Sequence, residues 1–142
     1  MFTNGVSIIL TGSNDDYHGM AIAWVSQVEK EHLIISIPKG STTSNLLLEQ
    51  KKFSVNELAV GQEDLARQFG GKNCQNKPIS NLVKIKPTDY NLPIILNCGT
   101  STVCEVLTVS EINQQMVVTA KIIYSQTNLD FLPLIFDKSA YF

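Results

Sequence analysis

Charge is scarce in this chain, and its scarcity removes several classes of protein. Charged side chains are 17% of the 142 residues, below the ~25% of an average globular domain, and aliphatic residues abound, so a solvated, disordered tail is excluded. The net charge is −2 and the pI near 5.6. Nucleic-acid binders display clustered lysine and arginine to displace counterions. Here only Lys51 with Lys52 and Lys84 with Lys86 come close, and both read as solvated edge charge. No nucleic-acid partner is expected.

Long hydrophobic runs are missing too. Stretches such as "IIL" and "LLL" fall far short of the ~20 residues a membrane helix needs, and the opening "MFTNGVSIIL" lacks the basic n-region of a signal peptide. The expected setting is cytoplasmic, with no membrane partner. Cysteine is sparse: Cys74, Cys98 and Cys104 are odd in number and show no C-x-x-C spacing. With only His18 and His32 to assist, no zinc site is expected. The thiols read as two buried strand cysteines and one loop cysteine. G-x-G-x-x-G, Walker and G-x-S-x-G patterns are all absent.

What remains is a β-rich chain in the size range of one domain, 1–142. "VSIILTG" is a strand that enters the polar turn "SNDDYHG", and "GMAIAWVSQV" is its return. The return fits both a strand and a helix period; the β-branched surroundings and the opening Gly19 favour a strand. "HLIISIP" is a dense strand stopped by Pro38, "SNLLLEQKK" has helical composition, "FSVNELA" returns as a strand, and "GQEDLARQFGG" is a short helix with acids in its first turn. After the polar "KNCQNKP" the chain reads β: "NLVKIK", "PIILNC", "STVCEVLTV" and "QMVVTAKIIY", with "SEINQ" as a hairpin between the last two. Many strands with two short helices and no βαβ alternation predict a largely antiparallel barrel with helical insertions.

One stretch asks for its own explanation. "PKGSTTSNL" crowds hydroxyls and a lysine at the strand-to-helix junction. Ser, Thr and Asn cap helices by accepting from N–H groups that the first turn leaves unpaired. The same helix start, with a lysine beside it, also suits a phosphate.

The series "HGMAIAWVSQV", "ISIPKGSTTSNLLLEQKKFSVNELA" and "QEDLARQFGG" resembles the flavin reductase-like family of FMN-binding split barrels. The likeness runs through residues 5–71, and "LPLIFDKSAYF" resembles the family's C-terminal segment. The resemblance implies a mainly β fold with short helices, a split antiparallel β-barrel of the FMN-binding type. It also implies that His18, Gly19, Met20, Ala21, Ile22, Ala23 and Trp24 lie along the isoalloxazine ring, chiefly through backbone amides, with Thr11 and Asn56 nearby. Small side chains at Gly19, Ala21 and Ala23 would let a planar ring approach the backbone, or would merely face a neighbouring strand. Asn56 has the alternative of satisfying nearby backbone, and Trp24 that of core or interface. The family's phosphate element corresponds to Lys39, Ser41, Thr42 and Thr43. Three charge-assisted contacts at roughly 1.5–3 kcal/mol each barely reach the ~8 kcal/mol of micromolar binding, so ring burial must contribute.

The chain departs from the family at one place. Many members have a glycine, acid, histidine series in the late hairpin; "NQQMVVTAKI" puts Gln115 at the histidine's place and Ala120 where glycine is usual. No general acid stands there. Flavin reduction does not strictly need one, since the cofactor carries the chemistry. The implied function is an FMN-binding oxidoreductase, FAD being possible, that takes electrons from NAD(P)H or a redox partner protein. The alternative is a non-catalytic flavin-binding or electron-carrier module. A hydrolase built on Ser13 or Ser26 with His18 and Asp15 or Asp16 is the weaker competitor. A hydrophobic content of 44% and a mean hydropathy of +0.05 exceed what one small barrel hides, which predicts a homodimer.

Overall fold

The first hairpin is set by two residues that tolerate the left-handed conformation. β1 (Ser7–Ser13) and β2 (Asp16–Ile22) pair antiparallel, joined by Asn14 and Asp15 at φ 52° and 65°. Such a turn matches the right-handed twist of the flanking strands. The return strand therefore begins at Asp16, earlier than the Gly19 expected from sequence. The computed structural model describes residues 2–70, 79, 83–128 and 130–137.

The stretch 19–28 is two strands and not the single one expected. β2 ends at Ile22, Ala23 and Trp24 make a corner, and β3 (Val25–Glu29) pairs with β4 (His32–Pro38). The helix α1 (Thr42–Gln50) follows, then β5 (Lys52–Glu57), α2 (Glu63–Phe69), β6 (Ile85–Lys86), β7 (Ile94–Ile95), β8 (Thr100–Ile112) and β9 (Gln115–Thr127). Seven strands form one antiparallel sheet in the order β2-β1-β5-β8-β9-β4-β3, while β6 and β7 make a separate pair. Its two edge strands, β2 and β3, are consecutive in sequence. A sheet whose opposite edges are joined by two residues must roll up, and the Trp24 carbonyl accepts from Ser36 N–H at 3.0 Å to hold the corner against β4. The result is the split antiparallel barrel.

Alternation fills it. Ile9, Leu33, Ile35, Ile37, Phe53, Val55, Cys104, Met116 and Val118 are buried in the interior cluster, each large side chain contributing about 1.5–3 kcal/mol relative to exposure. α1, lying between the end of β4 and the start of β5, plugs one mouth of the barrel by inserting Leu47 into that cluster. Helix α2 covers the other face of β1 and β2, where Ile8, Leu10, Ala21, Ala66 and Phe69 form a second cluster.

The later strands differ from the sequence reading in length. The stretch 71–78, with Cys74, lies outside the described residues, as do residues 81–82 of the expected strand "NLVKIK" and the tail 138–142. β7 is shorter than "PIILNC", since Asn97 turns the chain at φ 65°; Cys98 is thus buried in a loop and not on a strand, whereas Cys104 is buried on β8. β8 and β9 run on through most of "SEINQ" and turn only at Asn113 and Gln114. β5 pairs with β8 only as far as Glu105, so from Leu107 to Ile112 the named ladder of β8 is to β9 alone.

Candidate functional site

The hydroxyl cluster folds as its composition demands. Ser41, at φ −74° and ψ 157°, is the N-cap of α1, and its Oγ accepts from Ser44 N–H at 3.0 Å. Ser41 Oγ donates to Ser44 Oγ, and Ser44 Oγ donates back to the Ser41 carbonyl, both at 2.9 Å. Thr43 and Ser44 are buried, while Thr42 stays exposed. No acid occupies the first turn of α1, so the positive end of its dipole is not compensated there.

Lys39 lies just before this cap and is not isolated. Its Nζ donates to Glu111 Oε2 at 2.8 Å, and its backbone N–H donates to the Gln114 carbonyl at 3.0 Å. Gln115 stands on the same hairpin, opposite Pro38 in the β4–β9 register, and its Oε1 accepts from Ser36 Oγ at 3.1 Å. The turn of the β8–β9 hairpin and the N-terminus of α1 are therefore neighbours. Glu111 gave no signal in the sequence; only the pairing of β4 with β9 reveals it. Ala120 is buried in the barrel interior.

β2 presents a different chemistry. As an edge strand it spends one backbone side on β1 and leaves the other outside the ladder, which offers N–H and C=O groups to a ligand. Its small side chains face inward to helix α2: a Cβ on Gly19 would lie 2.7 Å from Phe69 Cε1 and 2.9 Å from Leu10 Cδ2. Ala21 is buried in the same cluster, whereas Met20 packs on the barrel interior and Ile22 is buried within it. Ala23 and Trp24 form the corner, and Trp24 is 52% exposed, which excludes a core role. α1 packs against both β1 and β2, so the edge strand and this helix are neighbours.

Thr11 and Asn56 sit deeper. Thr11 is fully buried and its Oγ1 donates to the Lys52 carbonyl at 2.9 Å. Asn56 is also fully buried; its Nδ2 donates to the Ile8 carbonyl and to Ser54 Oγ, both at 3.1 Å, and its Oδ1 accepts from Ile95 N–H at 2.8 Å. These bonds tie β1, β5 and β7 together. The hydrolase arrangement has little support: His18 Nε2 lies 3.2 Å from Asp16 Oδ1, but among the described hydrogen bonds no serine hydroxyl reaches His18, while Ser26 is exposed on β3. Among the described residues no helix is long and apolar enough to cross a membrane.

Comparison with solved structures shows this fold elsewhere. The NADH:FAD oxidoreductase SgcE6 of Streptomyces globisporus C-1027 superposes with a TM-score of 0.87 at 18% identity, over 96% of this chain and 82% of that one. Flavoredoxin from Methanosarcina acetivorans gives 0.85 at 20% identity over 97% and 82%. An FMN-binding protein from Thermus thermophilus gives 0.85 at 14% identity over 95% and 82%. Comparison with curated protein sequences finds no match. The model of the flavin reductase like domain matches residues 1–142, and with the split barrel built around an edge strand and a capped helix, the chain belongs to the flavin reductase-like family, whose function is flavin-related redox chemistry.

Proposed function

We propose that the protein is an FMN-binding oxidoreductase that receives electrons from NAD(P)H or a redox partner protein and passes them on. The observation that carries this reading is the packing of α1, whose capped start follows Lys39, against the β2 edge strand. Backbone groups of the stretch His18 to Trp24 would hold the polar edge of the ring. Lys39 and the hydroxyls of Ser41, Thr42 and Thr43 would hold the phosphate, whose charge of about −1.5 to −2 suits a cation and an uncompensated helix start. The donor set fits: an N-terminus with no acid in its first turn, a lysine beside it, and an exposed tryptophan at the strand corner. When bound, FMN supplies the electron-accepting chemistry. This chain's residues bind and orient it; Thr11 and Asn56 hold the strands beneath the site by the bonds described above.

A homodimer accompanies the proposal. Leu107, Val109 and Ile112 are 54%, 41% and 65% exposed on the part of β8 that, among the described residues, has no second strand beside it. Apolar side chains along an open ladder edge suit a second copy. The alternative, a flavin carrier, is favoured by one observation: Gln115, which cannot titrate, stands beside Ser36 at the place where many family members have a histidine.

Purified protein is expected to be yellow, with mass analysis of the released molecule giving FMN. Rapid bleaching on mixing with NADH or NADPH supports the oxidoreductase, and persistent colour supports the carrier. Colourless protein that ignores added FMN and FAD refutes both.

A further inference from the structure

The barrel has two ends, and they are treated differently. Leu47 of α1 plugs one. At the other, between the start of β1 and the end of β5, a cavity of about 210 Å³ opens. Its rim and its walls differ in chemistry because of strand register. Ser7 pairs with Glu57 across β1 and β5, and Thr100 on β8 lines the same mouth, so this layer is polar. One layer deeper, Val55, Leu33 and Ile122 make the wall mostly apolar, with the Thr102 hydroxyl beside Val55 and Val25 closing the side.

Among the described residues, Glu57 is the one charged side chain lining this cavity. It is half-buried, and among the described residues it has no ion pair and no side-chain hydrogen bond; burial raises its pKa above the usual 4.5. Its backbone, by contrast, is pinned, the carbonyl accepting from Gly99 N–H at 2.8 Å. A half-buried carboxylate without a counter-charge, set above a mostly apolar pocket, can take a cationic partner there. The completing group is a cation with hydrogen-bond donors. An ammonium has three donors, and the rim offers the carboxylate with the hydroxyls of Ser7 and Thr100 as acceptors. An apolar cavity of ~150 Å³ accepts benzene, so this one has room for a ring and a short chain.

We propose that the open end of the barrel binds a small primary ammonium carried on a compact apolar body, with the Glu57 carboxylate as counter-ion. This site is lined by none of Lys39, Ser41, Thr42 or Thr43 and shares only Ala23 with the stretch His18 to Trp24. It does not depend on whether flavin binds.

The test uses the full-length protein and three probes of one shape: 2-phenylethylamine, 2-phenylethanol and phenylacetate, titrated by calorimetry and by amide chemical shifts. The amine is expected to bind saturably at least tenfold tighter than the alcohol, and phenylacetate not to bind. Glu57→Gln, which keeps the shape of the side chain, should abolish the preference for amine over alcohol and leave FMN affinity unchanged. Val25→Phe should weaken amine and alcohol together by filling the cavity. Absence of saturable amine binding, equal affinity for amine and alcohol in the unaltered protein, or an unchanged preference in Glu57→Gln overturns the proposal.

Discussion

Lys39 Nζ and Glu111 Oε2 meet at 2.8 Å although 72 residues separate them in the chain. The pair places a carboxylate beside the lysine proposed to receive a phosphate. A dianion brought to Lys39 would meet the Glu111 charge as well, and two like charges a few ångströms apart repel even near the surface. Glu111→Gln should therefore tighten FMN about three- to tenfold, with the gain shrinking as salt is added. Lys39→Ala should weaken it about tenfold or more, in keeping with one charge-assisted bond. Flavin-fluorescence titrations at low and high salt read both effects. Equal affinity in all three proteins would remove Lys39 from the site.

Asn56 spends its amide on Ile8, Ser54 and Ile95 in a fully buried position. Asn56→Leu should take the acceptor from the Ile95 N–H and the Nδ2 donor from the Ile8 carbonyl at once. The expected loss is about 2–4 kcal/mol, from the penalty for buried unpaired groups. Urea unfolding followed by circular dichroism gives the number. A loss under about 0.5 kcal/mol would mean that the bonds are not formed in solution.

Gly19 faces Phe69 so closely that a Cβ would approach its ring to 2.7 Å. Gly19→Ala should destabilise by about 1–3 kcal/mol, the usual cost of overpacking. Adding Phe69→Leu should recover part of that loss, since the shortened side chain makes room. A double-mutant cycle in thermal unfolding measures the coupling, and strictly additive losses would contradict the contact.

The buried thiols predict an alkaline limit. Desolvation pushes Cys98 up to about 12 and Cys104 up to about 11. In the unfolded chain a thiol ionises near ~8.5. Between those values the unfolded state binds fewer protons than the folded one, so stability falls as pH rises, by up to about 1.4 kcal/mol per pH unit for each thiol. The contribution is complete below ~8.5 and gone above about 12. Urea midpoints should hold steady up to pH 8 and drop from pH 9 upward, more shallowly in Cys98→Ala with Cys104→Ala. A thiol reagent should reach neither residue until urea is added.

Local rules were legible in the sequence because they act over a few residues. The cap at Ser41, the helix that follows it and the acid-led α2 come from side chains competing for nearby backbone groups. The break at Ala23 and Trp24 was not legible. β2 and β3 have the same alternation, and what separates them is partner choice: β1 for one and β4 for the other. The small residues of β2 show the same limit. Their size was plain, but whether it served a ligand or a neighbour depended on Phe69, fifty positions on.

The amino-acid order by itself determined an antiparallel, mainly β chain, two short helices, the hydroxyl-rich helix start and the family likeness, since period, capping and motif spacing are written residue by residue. Only the tertiary structure decided that β2 and β3 become opposite edges of one rolled sheet. It also decided that Asn56 is a structural tie, that Glu111 reaches Lys39, and that Glu57 guards an open barrel end. The reason is the same in each case: a side chain's chemistry is its own, but its partners are assigned by long-range strand register, which no local pattern encodes.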